Sequence, residues 1–411
     1  MNKKILSILL FLPCLLFSQN QKVLLGIDVL EKENFSLLNN KRVGLITNHT
    51  GVNSKLILTV DLLNKTPNVK LISVFSPEHG FHGLGRAGES IDDFTDAKTG
   101  VKFYSLYGKR TKPTKEMLED IDVLVYDIQD IGCRSYTYIS TLGLAMEAAA
   151  ENKKEFVVLD RPNPLGGIRI EGNIVENGFN SFVSQYKIPY VYGLTCGELA
   201  YLLNEERMLT NKAKGDLNIV KMTGWKRWMR FEDTGLLWVP TSTNVPYSST
   251  ASYLVATGVL GELITISIGI SYTLPFQTFA AEWIDPDTLA SNMNKLNLVG
   301  VLFRPISYKA NYGVWLDKIL RGVQIHFTDI DNVNLLELQF YFMQVHNKLY
   351  PEKKIFQLAD TTRIRMFDRV MGTDQIRKKF AQRYRVEDIE AYLKKDINPF
   401  RELSKKYYLY N

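Results

Sequence analysis

The stretch Val69-Lys70-Leu71-Ile72-Ser73-Val74-Phe75-Ser76-Pro77-Glu78-His79-Gly80 decides the fold of this chain. Its first part, up to Phe75, is an apolar run of the kind that forms a buried strand in a parallel sheet. A proline, a carboxylic acid, a histidine and a glycine follow almost directly. Ligands of open α/β sheets bind outside the carboxyl ends of the strands. We therefore take Glu78 as the first candidate for chemistry, with a solvated Pro-Glu turn as the alternative.

Further short runs rich in β-branched residues lie on both sides of this stretch. Residues 42–47, 121–126 and 156–159 predict strands. Amphipathic stretches at 53–65 and 140–154 predict helices between some of them. Strands that alternate with helices at this spacing are typical of βαβ units. The sequence therefore predicts an α/β fold whose first domain, residues 22–240, is a Rossmann-like parallel sheet.

The second half of the chain has mixed signals. Residues 234–249 are rich in turn formers and predict a connection between domains. Asp285-Pro286 is a good helix start, because an N-cap carboxylate precedes a proline at the first helical position. Strands and a further helix are predicted at 300–303, 322–327 and 335–349. We expect a smaller α+β domain at residues 241–411 and an active-site cleft between the two domains.

Length and composition are those of an ordinary globular protein. A chain of 411 residues is too long for one core, so two domains are expected. The net charge is +6, and the lysines and arginines are scattered, which argues against a nucleic-acid partner. Cys133 and Cys196 have no clear partner base in the sequence, so neither is expected to be a nucleophile.

The first residues have the pattern of a secretory signal peptide. Lys3 and Lys4 precede a short apolar stretch at 5–17, and the small residue Ser18 follows. We expect cleavage near Ser18, an exported protein that is periplasmic or secreted, and a net charge of +4 after cleavage. No segment reaches the ~20 apolar residues of a membrane span, so no integral membrane segment is expected after cleavage.

Polar residues follow every predicted strand of the first domain. Since the carboxyl ends of parallel strands meet at one edge of a sheet, we expect these loops to form one catalytic face. Asp127, Asp130 and Asp160 are candidates for a second catalytic carboxylate, although Asp160 beside Arg161 also fits an ion-paired loop anchor. The candidates on this face, besides Glu78 and His79, are Asn48, His49, His82, Arg86, Asp127, Gln129, Asp130, Asp160, Arg161 and Asn163.

Two further motifs suggest different chemistry. Residues 83–88 match the G-x-G-x-x-G dinucleotide fingerprint, but no strand ends directly before them and no apolar helix follows, so no dinucleotide is expected. His79 and His82 form an H-x-x-H that, with His49, has the donor set of an open zinc site. A metal-assisted hydrolase is therefore an alternative. We expect no cofactor, and we expect His79 to bind substrate or orient Glu78.

Six blocks of the first half resemble the signature blocks of the NamZ-type exo-β-N-acetylmuramidases, a family long described only as a domain of unknown function. The resemblance extends from about Gly26 to the C-terminus. The blocks are Gly44 to Gly51, Ser76 to Phe81, Tyr104 to Gly108, Val123 to Gly132, Arg134 to Thr141 and Leu159 to Pro164.

The resemblance implies a function. Members of that family remove N-acetylmuramic acid from the non-reducing end of peptidoglycan fragments, and their proposed catalytic glutamate corresponds to Glu78. Glycoside hydrolysis needs a proton donor for the leaving oxygen, which a carboxylic acid of raised pKa supplies. We therefore expect Glu78 to be the acid/base of an exo-acting glycosidase whose partners are peptidoglycan-derived saccharides. Tyr136 and Tyr138 suit stacking on a sugar ring, or equally a place in the core.

The second half departs from the family pattern at one position. Many members have a Glu-Gly-Thr stretch and then Ser-x-Gly-Arg-Gly-Thr ahead of Pro-Phe. This chain keeps the glutamate as Glu262, a candidate for substrate binding, but has Ile270 in place of the arginine. A guanidinium is the natural partner of the muramic acid carboxylate. We expect either broader acceptance of N-acetylhexosamines or a cation supplied by Arg86 or Arg134, and a non-catalytic sugar-binding paralogue is a second alternative.

Overall fold

The structure, a computed structural model, describes residues 23–411, so the predicted signal peptide lies outside the described residues. The larger of two sheets has seven strands in the order β3-β4-β2-β1-β5-β6-β7. Its strands are β1 (Arg42–Thr47), β2 (Lys70–Ser76), β3 (Phe94–Thr95), β4 (Lys102–Ser105), β5 (Val123–Asp127), β6 (Glu155–Leu159) and β7 (Leu217–Val220).

The strands of this sheet run parallel, apart from the short β3, which is antiparallel to β4. The central strands β1 and β5 are buried along nearly their whole length, as expected of parallel strands that helices cover on both faces. The predicted α/β fold with a Rossmann-like parallel sheet is therefore confirmed. Chain order reverses between β1 and β5, where such sheets have their topological switch point.

Thirteen α-helices lie within residues 23–411, and none of them is long and apolar enough to cross a membrane. Asp285 caps α7 by accepting from the Thr288 N–H, and Pro286 is the first helical residue, as predicted. The helices are α1 (Gly26–Lys32), α2 (Thr59–Lys65), α3 (Lys115–Leu118), α4 (Tyr138–Glu151), α5 (Cys196–Glu205), α6 (Thr250–Gly261), α7 (Pro286–Asn294), α8 (Leu338–Leu349), α9 (Ile355–Leu358), α10 (Thr361–Met371), α11 (Gln375–Arg383), α12 (Glu387–Lys394) and α13 (Ile397–Ser404).

The smaller sheet belongs to the second half of the chain and confirms its α+β character. Its strands are antiparallel in the order β8-β10-β9. The helix α8 packs on it, with the rings of Phe279 and Phe342 stacked 4.4 Å apart. The strands are β8 (Thr278–Ala281), β9 (Val301–Lys309) and β10 (Ile319–Phe327).

One of the hydrophobic clusters contains residues from both halves of the chain, and the chain end also ties the halves together. Ile131 and Tyr190 belong to the same buried cluster as Phe340. The C-terminal residues return to the larger sheet, where the Tyr410 hydroxyl donates to Asp160. The domain boundary between residues 240 and 241 therefore stays a prediction, because residues on both sides of it contact each other.

Candidate active site

A cavity of about 420 Å³ lies between the loop that follows β2 and the segment that follows α6. This volume is within the range of small-molecule sites. Residues from both halves of the chain line it, as the predicted cleft requires. The polar residues of its wall include Glu78, His79, Tyr107, Tyr136, Thr137, Asn244, Glu262, Tyr312 and Arg363.

Glu78 is held in a fixed orientation at the wall of this cavity. The side chain is buried, with 8% of its surface exposed. The Thr137 hydroxyl donates to Oε2 at 2.6 Å, and the Gly88 N–H donates to Oε1 at 2.9 Å. The glycine-rich segment at 83–88 therefore positions a carboxylate. No helix begins directly after it.

Two aromatic side chains lie beside Glu78. The His79 backbone has φ of +69°, a left-handed conformation that is uncommon for a residue with a Cβ. Its Nδ1 donates to the Gly85 carbonyl at 2.8 Å, which fixes the ring. Burial, together with the nearby charge of Glu78, raises the pKa of Tyr107 well above its usual range. The Tyr107 hydroxyl therefore remains a hydrogen-bond donor next to the carboxylate.

The two predicted sugar-stacking tyrosines have different positions. Tyr136 lines the cavity and is partly exposed, and its hydroxyl donates to Thr241 Oγ1 at 2.8 Å. Tyr138 is fully buried and donates to the Thr241 carbonyl at 2.6 Å. The rings contact edge to face, with centroids 4.8 Å apart. Tyr136 is thus placed to contact a sugar, whereas Tyr138 supports it from the core.

The wall from the second half of the chain is mostly apolar and carries Glu262. This residue follows the last residue of α6, and Ile264, Ile266 and Ile270 line the cavity beside it. Burial raises the pKa of Glu262 to about 7; the charge of Arg363 opposes this shift and that of Glu78 adds to it. Within residues 23–411, no group forms a hydrogen bond with its carboxyl.

Arg363 is the one arginine or lysine among the described residues that line the cavity. It lies in the first turn of α10, where Asp360 caps the helix by accepting from its backbone N–H. Its guanidinium forms no ion pair with another described residue. The sequence analysis missed this residue, because a single arginine in an amphipathic helix gives no local signal.

Only part of the predicted catalytic face at the edge of the larger sheet lines the cavity, namely the loop after β2 that carries Glu78 and His79. Asp127, expected to be catalytic, is fully buried and accepts from Arg161 Nε at 2.6 Å and from the Thr59 hydroxyl. Arg161 also donates to the Val52 carbonyl. The remaining cavity beside Arg161 and Gln129 is only about 20 Å³, room for about one water molecule. The ion pair therefore fills the switch point, and Asp127 does not line the active-site cavity.

The same edge holds further predicted residues that serve the loops. These residues are Asn48, Gln129, Asp130, Asp160 and Asn163; all are buried and none lines the active-site cavity. Burial raises the pKa values of Asp130 and Asp160 to about 6. The partners of all these residues are other loop groups: Thr50 for Asn48, the carbonyls of Asp130 and Pro162 for Gln129, Gly132 and Tyr192 for Asp130, Thr195, Gly197 and Tyr410 for Asp160, and Leu165 and Leu194 for Asn163.

The two arginines predicted to replace the missing family cation also lie outside the cavity wall. Arg134 is fully buried, and its guanidinium donates to the Ser184 hydroxyl and to three backbone carbonyls, those of Asn173, Ile188 and Val370. It therefore serves the fold and is not placed to contact substrate. Arg86 is exposed, and its charge reaches Tyr312 at the cavity wall.

The three predicted histidines do not converge. His49 Nε2 lies 2.6 Å from the Pro240 carbonyl oxygen, and burial lowers its pKa. His82 is exposed and packs edge to face on Phe81. Residues 23–411 contain no group of three or more histidine, cysteine, aspartate or glutamate side chains arranged to hold a metal. The geometry thus gives the metal-assisted alternative no support.

The chain belongs to the exo-β-N-acetylmuramidase NamZ family, so the protein is a glycosidase. Residues 43–249 match the family's N-terminal domain, and residues 253–410 match its C-terminal domain. One relative is the peptidoglycan β-N-acetylmuramidase NamZ of Bacillus subtilis strain 168. It is 42% identical over 393 residues, which cover 96% of this chain and 92% of the relative. The predicted resemblance is confirmed.

Two solved structures have the same fold, and both are DUF1343 family proteins of Bacteroides fragilis NCTC 9343. One has a TM-score of 0.91 and 55% identity, and the alignment covers 95% of this chain and 99% of that one. The other has a TM-score of 0.74 and 27% identity, with the same coverage of both chains.

Proposed function

We propose that the protein is an exo-acting β-N-acetylmuramidase that releases N-acetylmuramic acid from the non-reducing end of peptidoglycan fragments, with Glu78 in the acid–base pair. The observation that carries this proposal is the position of Glu78. Its side chain is buried, two hydrogen-bond donors orient it, and it lines the cavity that Glu262 also lines. Glycosidases commonly use two such carboxyl groups. Family membership and the activity of the Bacillus relative support this class of bond and substrate.

The cavity also has features that suit a muramic acid residue. Tyr136 presents a partly exposed ring to it, and aromatic faces commonly contact sugar rings. N-acetylmuramic acid differs from N-acetylglucosamine by a lactyl group with a carboxylate, which a guanidinium binds well. Arg363 offers this guanidinium, whereas position 270 offers an isoleucine. We therefore assign the lactyl contact to Arg363.

The predicted export of the protein fits this substrate. Peptidoglycan lies outside the cytoplasmic membrane, and residues 1–18 have the pattern of a signal peptide. We propose that the enzyme acts in the periplasm or outside the cell. Detection of the mature protein in the periplasmic or culture fraction, with its N-terminus near Gln19, tests this.

The test of the proposed function is turnover of a chromogenic aryl β-N-acetylmuraminide and of a disaccharide with muramic acid at its non-reducing end. Glu78→Gln should reduce kcat about 10²- to 10⁴-fold, the usual contribution of general acid–base catalysis. Glu89→Gln, an exposed change in the same loop, is the matched control and should retain wild-type activity.

Two results would contradict the proposal. Retention of more than about a third of wild-type activity by Glu78→Gln, well above the loss expected for an acid–base residue, would remove Glu78 from the mechanism. Tight binding of the disaccharide by the wild-type protein without turnover would instead indicate a sugar-binding paralogue. A melting temperature close to that of the wild type shows that the variant is folded.

A further inference from the structure

Glu262 is a carboxyl group at the wall of the active-site cavity that forms no hydrogen bond and no ion pair within residues 23–411. It lies at the C-terminal end of α6, where the unpaired helix carbonyls disfavour a negative charge. Apolar side chains that follow it in the chain, among them Ile264 and Ile266, line the same cavity. Burial of an acid without a hydrogen-bond partner favours its protonated form. Groups with such perturbed pKa values are concentrated at functional sites.

The charged and titratable groups that face Glu262 come from three other parts of the chain. Arg363 faces it from α10, Glu78 from the loop after β2, and Tyr190 from the segment before α5. Burial outweighs the attraction of Arg363, and the pKa of Glu262 lies at about 7. A large fraction of Glu262 thus keeps its proton near neutral pH, in the same cavity as the hydrogen-bonded Glu78.

We propose that Glu262 is the proton donor to the leaving sugar oxygen, an assignment that rests on the proposed glycosidase function of the same cavity. The Glu262 carboxyl proton passes to the glycosidic oxygen while the bond between that oxygen and the anomeric carbon breaks, and the electron pair leaves with the oxygen. Water forms the new bond at the anomeric carbon and returns one proton to the carboxyl pair. In this assignment Glu78 is the carboxylate that assists the attack of water on the anomeric carbon.

The test uses two substrates that differ in their need for a proton donor. A 2,4-dinitrophenyl β-N-acetylmuraminide releases a stable phenolate without protonation, whereas the disaccharide must release an alkoxide-like oxygen. Glu262→Gln should lose about 10²- to 10⁴-fold in kcat on the disaccharide and less than about fivefold on the dinitrophenyl substrate. The wild-type kcat/KM for the disaccharide should fall as pH rises through about 7, because Glu262 then loses its proton.

Glu337→Gln is the matched control. Glu337 is also buried with a raised pKa, but it does not line the cavity, so both activities should stay at the wild-type level. Equal losses of Glu262→Gln on both substrates would show a binding or structural role and would overturn the assignment alone. A wild-type protein that cleaves neither substrate would overturn the proposed function itself. If Glu262→Gln does not fold, a wild-type pH profile without a fall near 7 overturns the assignment.

Discussion

The two walls of the cavity present the same chemical group in opposite surroundings. On the wall from the first half, Glu78 accepts hydrogen bonds from Thr137 and Gly88. On the wall from the second half, Glu262 has apolar neighbours and no hydrogen-bond partner among residues 23–411. Two carboxyl groups of one cavity thus face different tasks, because donors orient one as an acceptor and burial keeps a proton on the other.

The second wall also has the cation that the first wall lacks. Arg363 is placed to pair with an anionic substrate group. The pKa of Glu262 is about 7, so near neutral pH this carboxyl compensates the charge of Arg363 only in part. Arg86 lies outside the wall, and Arg134 is committed to four acceptors in the fold. Selection for muramic acid should therefore depend on the second wall, and turnover on both.

The largest effect beyond the two carboxyl variants is expected for Arg363→Ala. Its preference for the muraminide over the matching N-acetylglucosaminide, measured as the ratio of kcat/KM values, should fall about ten- to a hundredfold. This is the fold-change that corresponds to a lost charge-assisted hydrogen bond of roughly 1.5 to 3 kcal/mol. Arg365→Ala, an exposed change on the same helix, should leave the ratio unchanged.

Two additional variants sharpen this prediction. Ile270→Arg in the Arg363→Ala background places a guanidinium back at the cavity wall and should restore part of the preference. Arg86→Ala should change the ratio less than Arg363→Ala, because Arg86 is exposed and does not line the cavity. A muraminide preference that neither Arg363→Ala nor Arg86→Ala alters would mean that the lactyl carboxylate is bound by another group or not at all.

The fold and the first wall follow from local sequence patterns. The apolar run that ends at Phe75 forms β2, and Glu78 follows it at the carboxyl end, where α/β sheets place their ligands. The same rule placed Asp127 and Arg161 at that edge correctly. The prediction that they face the substrate was wrong, because the position of a loop does not show whether its charged side chains pair with each other.

The second wall could not be predicted in the same way. Glu262 was found only through the family resemblance, and its unpaired state depends on how α6 ends against the loops of the first half. Arg363 lies far from Glu78 along the chain and reaches the cavity because α10 packs on α6. Thr137 was likewise missed, since a threonine at the start of a helix is expected to cap it and here donates to Glu78 instead.

A smaller effect is expected for Thr137→Val, which tests whether hydrogen bonds set the first wall apart. The change removes the hydroxyl that donates to Glu78 Oε2 and keeps the shape of the side chain. A hydrogen bond of about 0.5 to 1.5 kcal/mol corresponds to about a two- to tenfold fall in kcat on the disaccharide. Thr141→Val, one turn further along α4, removes only a weak bond to a backbone carbonyl and should leave kcat unchanged. Equal effects of both changes would indicate a general disturbance of α4.

No change is expected when a chelator is added, because both walls act through carboxyl groups. His79 uses Nδ1 to donate to the Gly85 carbonyl, His49 Nε2 lies against the Pro240 carbonyl, and His82 is exposed away from the cavity wall. Within residues 23–411 there is no group of three or more histidine, cysteine, aspartate or glutamate side chains that could hold a metal. The measurement is the rate on the disaccharide after incubation with EDTA and after dialysis. A loss of activity that zinc restores would show a metal-dependent step and would contradict catalysis by the two carboxyl groups alone.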